Sequence, residues 1–264
     1  MAGSTGRDAS GRNVVPTTPM PASEARWRTL FEGFAREGED DAAIAGWSPT
    51  GLAARFRNFA RLWPGDVAGS RWLDAGCGAG TYARFLASRG VQVIGVDYSL
   101  PTLAKAKAKA PAGLAFAAAD VTRLPFRPGS FRGALCFGVT QALADSNRVV
   151  RALCDVVEPG GEVWVDALNG LCLPNLADRL ARWWKGKPPH VRYESPGNLR
   201  RIMRTCRMRH VRLYWVPILP ERWSRWQPVV EAPAVRRLLR LLPGFAALFS
   251  HAFVLSGRVG EPPK

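Results

Sequence analysis

The stretch Leu73-Asp74-Ala75-Gly76-Cys77-Gly78-Ala79-Gly80 constrains this chain most, because three glycines at alternate positions follow directly on an apolar run. Glycine lacks a Cβ and reaches φ > 0 without strain, so such a loop lets the backbone pass close to a bound group. Trp72 and Leu73 read as strand, and Thr81-Tyr82-Ala83-Arg84-Phe85-Leu86 opens a helical pattern. A strand, a glycine loop and a helix N-terminus together make a polar pocket at a sheet edge, suited to a nucleotide-type cofactor.

Spacing narrows the choice. The dinucleotide fingerprint is G-x-G-x-x-G and serves a pyrophosphate, whereas here the pattern is acidic-x-G-x-G-x-G, with Asp74 leading. A second β-rich run, Val91 to Val96, ends in Asp97, 23 residues beyond Asp74, and a third, Leu114 to Ala119, ends in Asp120. Leu124-Pro125-Phe126, Ser130-Phe131 and a strand pattern from Gly133 to Gly138 come next. Leu153 to Val157, the turn Glu158-Pro159-Gly160-Gly161 and the run Glu162 to Val165 complete the series.

This order resembles the class I S-adenosylmethionine (SAM)-dependent methyltransferases, in the small-molecule, type 11-like branch of the ubiquinone and biotin-pathway enzymes. The resemblance implies an α/β, Rossmann-like fold: a seven-stranded, mostly parallel sheet with an antiparallel last strand and helices on both faces. It implies SAM as cofactor, with S-adenosylhomocysteine as its product. It assigns Asp74, Ala75, Gly76, Cys77, Gly78 and Gly80 to the cofactor loop and Asp97 to the ribose hydroxyls. Tyr98 follows that acid, Ala119, Asp120 and Val121 border the adenine, and Phe137 lies at the end of the fourth strand. Thr140 and Gln141 would line the methyl-transfer pocket. At the family's usual Asp after the L-P-F stretch this chain has Arg132, a departure tolerable at a strand start.

At 264 residues and 47% apolar content the chain can bury a sizeable core as one main domain. The expected organisation is a disordered tail over residues 1–22 and a single domain over 23–264. Within it lie cap helices (23–68), a cofactor core (69–170) and a basic acceptor-side region (171–264). Trp27, Leu30, Phe31 and Phe34 share one face of a helix over Glu24 to Arg36, and a second helix runs from Leu52 to Leu62. Arg55, Arg57 and Arg61 on the latter could neutralise the SAM carboxylate or lie on a solvated face. A helix over Pro196 to Met208, a strand over Val211 to Leu219, a helix end over Val235 to Leu242 and a last strand over Ser250 to Arg258 close the pattern. The uncharged stretch from Leu241 to Gly257 is interrupted by Pro243, Gly244, Ser250 and His251 and reads as soluble elements rather than a span.

Five cysteines without C-x-x-C or zinc spacing suit buried thiols in a reducing cytosol and no metal site. With no apolar leader pattern at the N-terminus, the expected location is cytoplasmic, with peripheral contact at the inner membrane face as an extension.

Charge is the second informative feature. Residues 171–264 hold 18 basic and 5 acidic side chains, most of the net +16. Trp183, Trp184, Trp215, Trp223 and Trp226 are interleaved there with Arg182, Lys185, Lys187, Arg222 and Arg225. Indole rings settle at an interface while cations meet phosphates, so this suits an anionic, partly apolar surface. The expected reaction is methylation of a small molecule, more readily at oxygen, with an amphiphilic or anionic acceptor.

Two alternatives stand beside it: an RNA methyltransferase using the basic face, and a SAM-fold binding protein without turnover. Nucleic acid ranks lower, because Phe137-Gly138-Val139-Thr140 lacks the N-P-P-Y type turn of base-amine methyltransferases and Cys136 is not in a P-C motif. Solvated arginines are the plain reading of the charge. Of three histidines, His190 is the candidate general base, ahead of His210 and His251. The oligomeric state is not legible.

Overall fold

The structure is a computed structural model that describes residues 21–188 and 191–261. Seven strands form one sheet: β1 (Arg71–Ala75), β2 (Gln92–Asp97), β3 (Ala115–Ala118), β4 (Phe131–Cys136), β5 (Val157–Leu168), β6 (Met208–Val216) and β7 (Ala252–Val259). Their order is β3-β2-β1-β4-β5-β7-β6, with β7 antiparallel to both β5 and β6 and the other pairs parallel. The helices are α1 (Ala22–Glu37), α2 (Asp41–Ile44), α3 (Pro49–Leu62), α4 (Thr81–Ser88), α5 (Leu100–Ala108) and α6 (Ser146–Val156). They continue as α7 (Leu173–Trp184), α8 (Pro196–Thr205), α9 (Gln227–Val230), α10 (Pro233–Leu241) and α11 (Pro243–Phe249).

Successive strand residues point to opposite faces, and the apolar runs serve both. Leu73, Ala134, Val163 and Val165 pack on one side against Val149, Val150 and Leu153 of α6 and Leu199 and Met203 of α8. Trp72, Leu135 and Trp164 point the other way, into Phe59 of α3, Trp63 just after it, and Tyr82 and Leu86 of α4. Buried on both faces, these strands read as near-continuous apolar segments in the sequence.

The chain runs from β1 outward to β3 and then returns to β4 on the other side of β1. At that reversal the loops after β1 and β4 diverge and leave a crevice beyond the strands' carboxyl ends. Tail residues 1–20 lie outside the described residues, and helix α1 begins at Ala22.

The C-terminal elements differ in their bounds from the sequence reading. Helix α8 ends at Thr205 rather than Met208, because Arg207 turns the backbone at φ 61°. Strand β6 starts at Met208, whose buried side chain joins the core opposite Val259, and stops at Val216 before a proline that has no N–H to donate. His210, at φ 53°, occupies a bulge in β6. An additional helix, α11, follows Pro243 where the sequence suggested only a connection to the last strand.

Candidate functional site

The crevice is floored by the glycine loop. Gly76, Gly78 and Gly80 lie at φ 77°, 52° and 80°. A Cβ on Gly76 would fall 2.2 Å from a Val139 methyl, so this position must be glycine on steric grounds as well as on φ. The Gly76 and Cys77 N–H groups donate to the Val96 carbonyl at 2.7 and 2.9 Å, which ties the loop to β2.

Asp97 ends β2 at the cavity wall. Its Oδ2 accepts from the Gly78 N–H at 3.1 Å and its Oδ1 from the Ser99 N–H at 3.0 Å. A carboxylate offers about four lone-pair sites, so acceptor capacity remains for a further donor. Burial pushes this carboxyl up, and the backbone N–H groups of Ser99, Gly78 and Tyr98 pull it back down.

Asp74 stands behind the loop, not in the cavity. Its Oδ2 accepts from the Ala83 N–H at 3.0 Å and so caps the first turn of α4. Complete burial pushes its carboxyl up to about 7. Cys77 is buried, and desolvation raises its thiol well above the ordinary range, so it fills space and is not a thiolate. Ala75, Gly80 and Ala119 flank the cavity in sequence without lining it.

The cavity encloses about 840 Å³ of empty space counted to its open mouth. Of the residues assigned to the cofactor, Gly76, Gly78, Asp97, Tyr98, Asp120, Val121 and Phe137 line it. Helix α1 covers it with Trp27, Arg28 and Phe31, and Trp47 joins from the segment after α2. Arg28 donates to Asp120 Oδ2 at 3.0 Å, and the Tyr98 hydroxyl donates to the Arg28 carbonyl at 3.2 Å. Burial acts to raise Asp120, but hydrogen bonds from Thr122 and the nearby Arg28 and Arg148 hold it below the usual value. Burial, with Asp97 close by, holds the Tyr98 phenol protonated. Glu24 fastens the start of α1 by accepting from the Ala144 N–H at 3.0 Å.

Thr140 does not face the cavity: it is buried, and its hydroxyl donates to the Asp166 carbonyl at 2.9 Å. Gln141 lines a second cavity, of about 1050 Å³ counted the same way, with Leu171, Arg179, Arg192 and Tyr193. Trp27, Ala142 and Leu143 line both cavities, so they form the shared wall. His190 lies outside the described residues. His251 is held neutral by burial, down to about 4, and its carbonyl accepts from the Asn169 N–H at 2.9 Å.

None of the three arginines of α3 lines the first cavity. Arg55 is buried and donates to Asp166 Oδ2 at 2.9 Å, with its guanidinium 4.4 Å from the Trp47 ring centre. Arg57 grips Glu231 through two hydrogen bonds of 2.8 and 2.7 Å, and Arg61 donates to Asn58 at 2.8 Å. Arg132, the departure noted above, lies near Asp66 and Glu158 at 3.7 and 3.5 Å.

Asp166, at the end of β5, is the residue that sequence reasoning missed. Its Oδ1 accepts from the Gly138 N–H at 2.6 Å, so the Arg55–Asp166 pair fixes the turn that lines the cavity. Gly138 sits at φ 76°, and a Cβ there would meet Trp47 at 2.1 Å. Arg28 was likewise unseen. These partners are 111 and 92 positions apart, and no local pattern announces them.

Among the described residues no cluster of His, Cys, Asp or Glu could hold a metal ion, and no helix is long and apolar enough to cross a membrane. The donor set instead fits a nucleoside-type group with a glycine cradle, an acid with free lone pairs and apolar walls at Val121 and Phe137.

A family profile described as a methyltransferase domain matches residues 73–165. Demethylmenaquinone methyltransferase of Beutenbergia cavernae is 35% identical over 155 residues, which cover 50% of this chain and 62% of that protein. Ubiquinone biosynthesis O-methyltransferase of Chromobacterium violaceum is 30% identical over 149 residues, covering 53% and 64%. The chain thus spans less than two thirds of the length of either relative. Phosphoethanolamine N-methyltransferase 2 of Haemonchus contortus shares the fold at a TM-score of 0.64 and 20% identity, covering 95% of this chain and 62% of that one. Residues 73–165 thus match a methyltransferase domain, and the ordered motifs, the sheet order and these relatives make the chain similar to the class I SAM-dependent methyltransferases.

Proposed function

We propose that residues 23–264 act as one methyltransferase domain that holds SAM in the cavity under α1 and methylates a small molecule held in the neighbouring cavity. The observation that carries this reading is the Asp97 carboxylate, fixed at the cavity wall by the Gly78 and Ser99 N–H groups with acceptor capacity left over. Such a carboxylate suits a vicinal diol, which presents two hydroxyl donors.

SAM supplies an electrophilic methyl group on a sulfonium. The protein's task is then to bring an acceptor to about 3 Å from that carbon and in line with the departing sulfur. The shared wall of Trp27, Ala142 and Leu143 is where the two ligands would meet. Trp27 and Leu143 offer apolar surface at that junction.

The second cavity suits an amphiphilic, anionic acceptor, and oxygen is the acceptor atom of this proposal, as the name of the similar ubiquinone biosynthesis O-methyltransferase suggests. Leu171 and Leu143 offer apolar surface, and Arg179 lies with its guanidinium 5.8 Å from the centre of the Tyr193 ring. Arg192 is already engaged by Glu194 at 2.5 Å, which leaves Arg179 as the cation for an acidic acceptor group. A lipid-linked phenol or sugar combines these features.

Calorimetric titration with S-adenosylhomocysteine tests the cofactor site: binding is expected for the native chain and lost in Asp97→Ala. A variant that binds as tightly as the native chain would overturn the assignment of Asp97. Incubation with methyl-labelled SAM and a cell extract, fractionated into lipid, small polar and RNA pools, tests the acceptor. Label in the lipid pool is expected, and label confined to RNA would replace this reading with the nucleic-acid one.

A further inference from the structure

The C-terminal helices carry their apolar stripes outward. On α7, Leu173, Ala177, Leu180 and Trp184 recur at helical spacing on one face, and all are exposed. Trp183 and Trp184 are 75% and 84% exposed, values that an unpartnered indole rarely holds in water. On α10, Arg237, Leu238 and Leu241 face solvent while Leu239 is buried. Helix α11 turns Phe245, Leu248 and Phe249 outward and packs Ala246 inward. The small residue seats the helix and the large ones are left in water, the reverse of an ordinary surface helix.

These helices are neighbours. Helix α11 contacts both α7 and α10. The junction is fixed from beneath by Asn169, whose amide donates to the carbonyls of Ala247 and Ser250 at 2.7 and 2.8 Å, and by Asn175, which donates to the His251 carbonyl at 3.2 Å. The apolar surface is thus held in place by buried polar contacts.

Charge identifies the occupant. Arg179, Arg182, Lys185 and Lys187 stand on or just after α7, and Arg236, Arg237 and Arg240 on α10. Among the described residues, Lys185, Lys187, Arg237 and Arg240 form no ion pair. Of the acids nearby, Glu221 faces inward to Thr50 at 3.0 Å and Glu231 to Arg57 at 2.7 Å. Exposed tryptophan, phenylalanine and leucine beside unpaired cations match a surface that is apolar within and anionic at its boundary.

We infer that the face built by α7, α10 and α11 docks on an anionic phospholipid bilayer, with Trp183, Trp184, Phe245 and Phe249 entering the interface and the flanking arginines and lysines meeting the phosphates. This inference stands independently of the methyl-transfer reading. The two connect at Leu171 and Arg179, which line the second cavity beside and within α7.

The test is flotation of the full chain with vesicles of phosphatidylcholine alone and of equal parts phosphatidylcholine and phosphatidylglycerol, each at low and high salt. Binding to the anionic vesicles should exceed binding to the neutral ones by at least about tenfold and fall with salt. The pair Trp183→Ser/Trp184→Ser, and separately Phe245→Ser/Phe249→Ser, should each weaken it by about tenfold or more. Circular dichroism and S-adenosylhomocysteine binding should be unchanged in both. Arg237→Gln/Arg240→Gln should reduce the preference for the anionic lipid. Absence of flotation, or flotation insensitive to all three variants, overturns the inference. So does concentration-dependent self-association, or RNA retention, that the same tryptophan variant abolishes.

Discussion

Replacing Arg55 by methionine removes one half of a buried ion pair and keeps most of the side-chain volume. The side chains of Arg55 and Asp166 are 7% and 3% exposed, so the carboxylate left behind has no water to replace its partner. Breaking such a pair from one side typically costs about 3–5 kcal/mol. Asp166 retains the Gly138 N–H at 2.6 Å, which argues for the lower part of that range, and the lost stacking on Trp47 adds about 0.5–1 kcal/mol. The expected fall in melting temperature is roughly 6–20 °C.

The pH dependence carries a sign. Burial already pushes the Asp166 carboxyl up, and Arg55 acts against that push, so its removal raises the carboxyl further. An acid whose folded value lies above its unfolded one costs nothing when both states are protonated, and its penalty grows as pH rises through the interval. The deficit of Arg55→Met relative to the native chain should therefore be full near about pH 8 and shrink toward about pH 4. Urea unfolding across that range measures it, and Arg55→Met/Asp166→Asn should recover much of the loss because no charge stays buried. A deficit under about 1 kcal/mol at the alkaline end, or one that grows on acidification, would refute the argument.

Three other substitutions probe different parts of the site. Gly76→Ala combines φ 77° with a Cβ 2.2 Å from Val139, so thermal unfolding should show a loss of about 1–3 kcal/mol and S-adenosylhomocysteine binding should weaken in calorimetry. Asp74→Asn keeps an acceptor for the Ala83 N–H and removes a carboxyl that burial pushes up to about 7. The native chain should lose stability from this group as pH rises from about 4 through 7, so the variant should gain on it over that interval in parallel melts. Equal pH profiles for the two chains would contradict that burial effect. Asn169→Ala leaves the Ala247 and Ser250 carbonyls and the Leu171 N–H without their buried partner. A cost of about 2–4 kcal/mol is expected, with faster amide exchange in α11, and uniform exchange rates would count against its anchoring role.

Several features were legible in the sequence because they are local. The glycine loop needs residues that reach φ > 0, and only glycine does so without a Cβ. Asp97 and Asp120 stand immediately after strand patterns, and the apolar runs of β1, β2, β4 and β5 announce strands buried on both faces. The stripe of Trp27 and Phe31 on α1 carried the helix, and their places on the cavity wall are set by packing.

Where local pattern and pairing competed, pairing prevailed. Met208 continues the helical pattern of α8 in sequence, yet the ladder with β7 and its burial draw it into β6. Thr140 shows the same limit within the site. Its position after β4 suggested a cavity-facing hydroxyl, and the bond to the Asp166 carbonyl turns it into the core.

The sequence by itself determined the order of the strands, the glycine loop and the acids that follow the strands. All of these are set by residues within a few positions of one another, where φ preference and apolar period decide. Only the tertiary structure decided which side chains meet: Arg28 on Asp120, Arg55 on Asp166, Asn169 beneath α11, and the wall shared by two cavities. It also decided that the apolar stripes of α7 and α11 face outward, since a helical period states that a stripe exists and the packing of neighbours states which way it points.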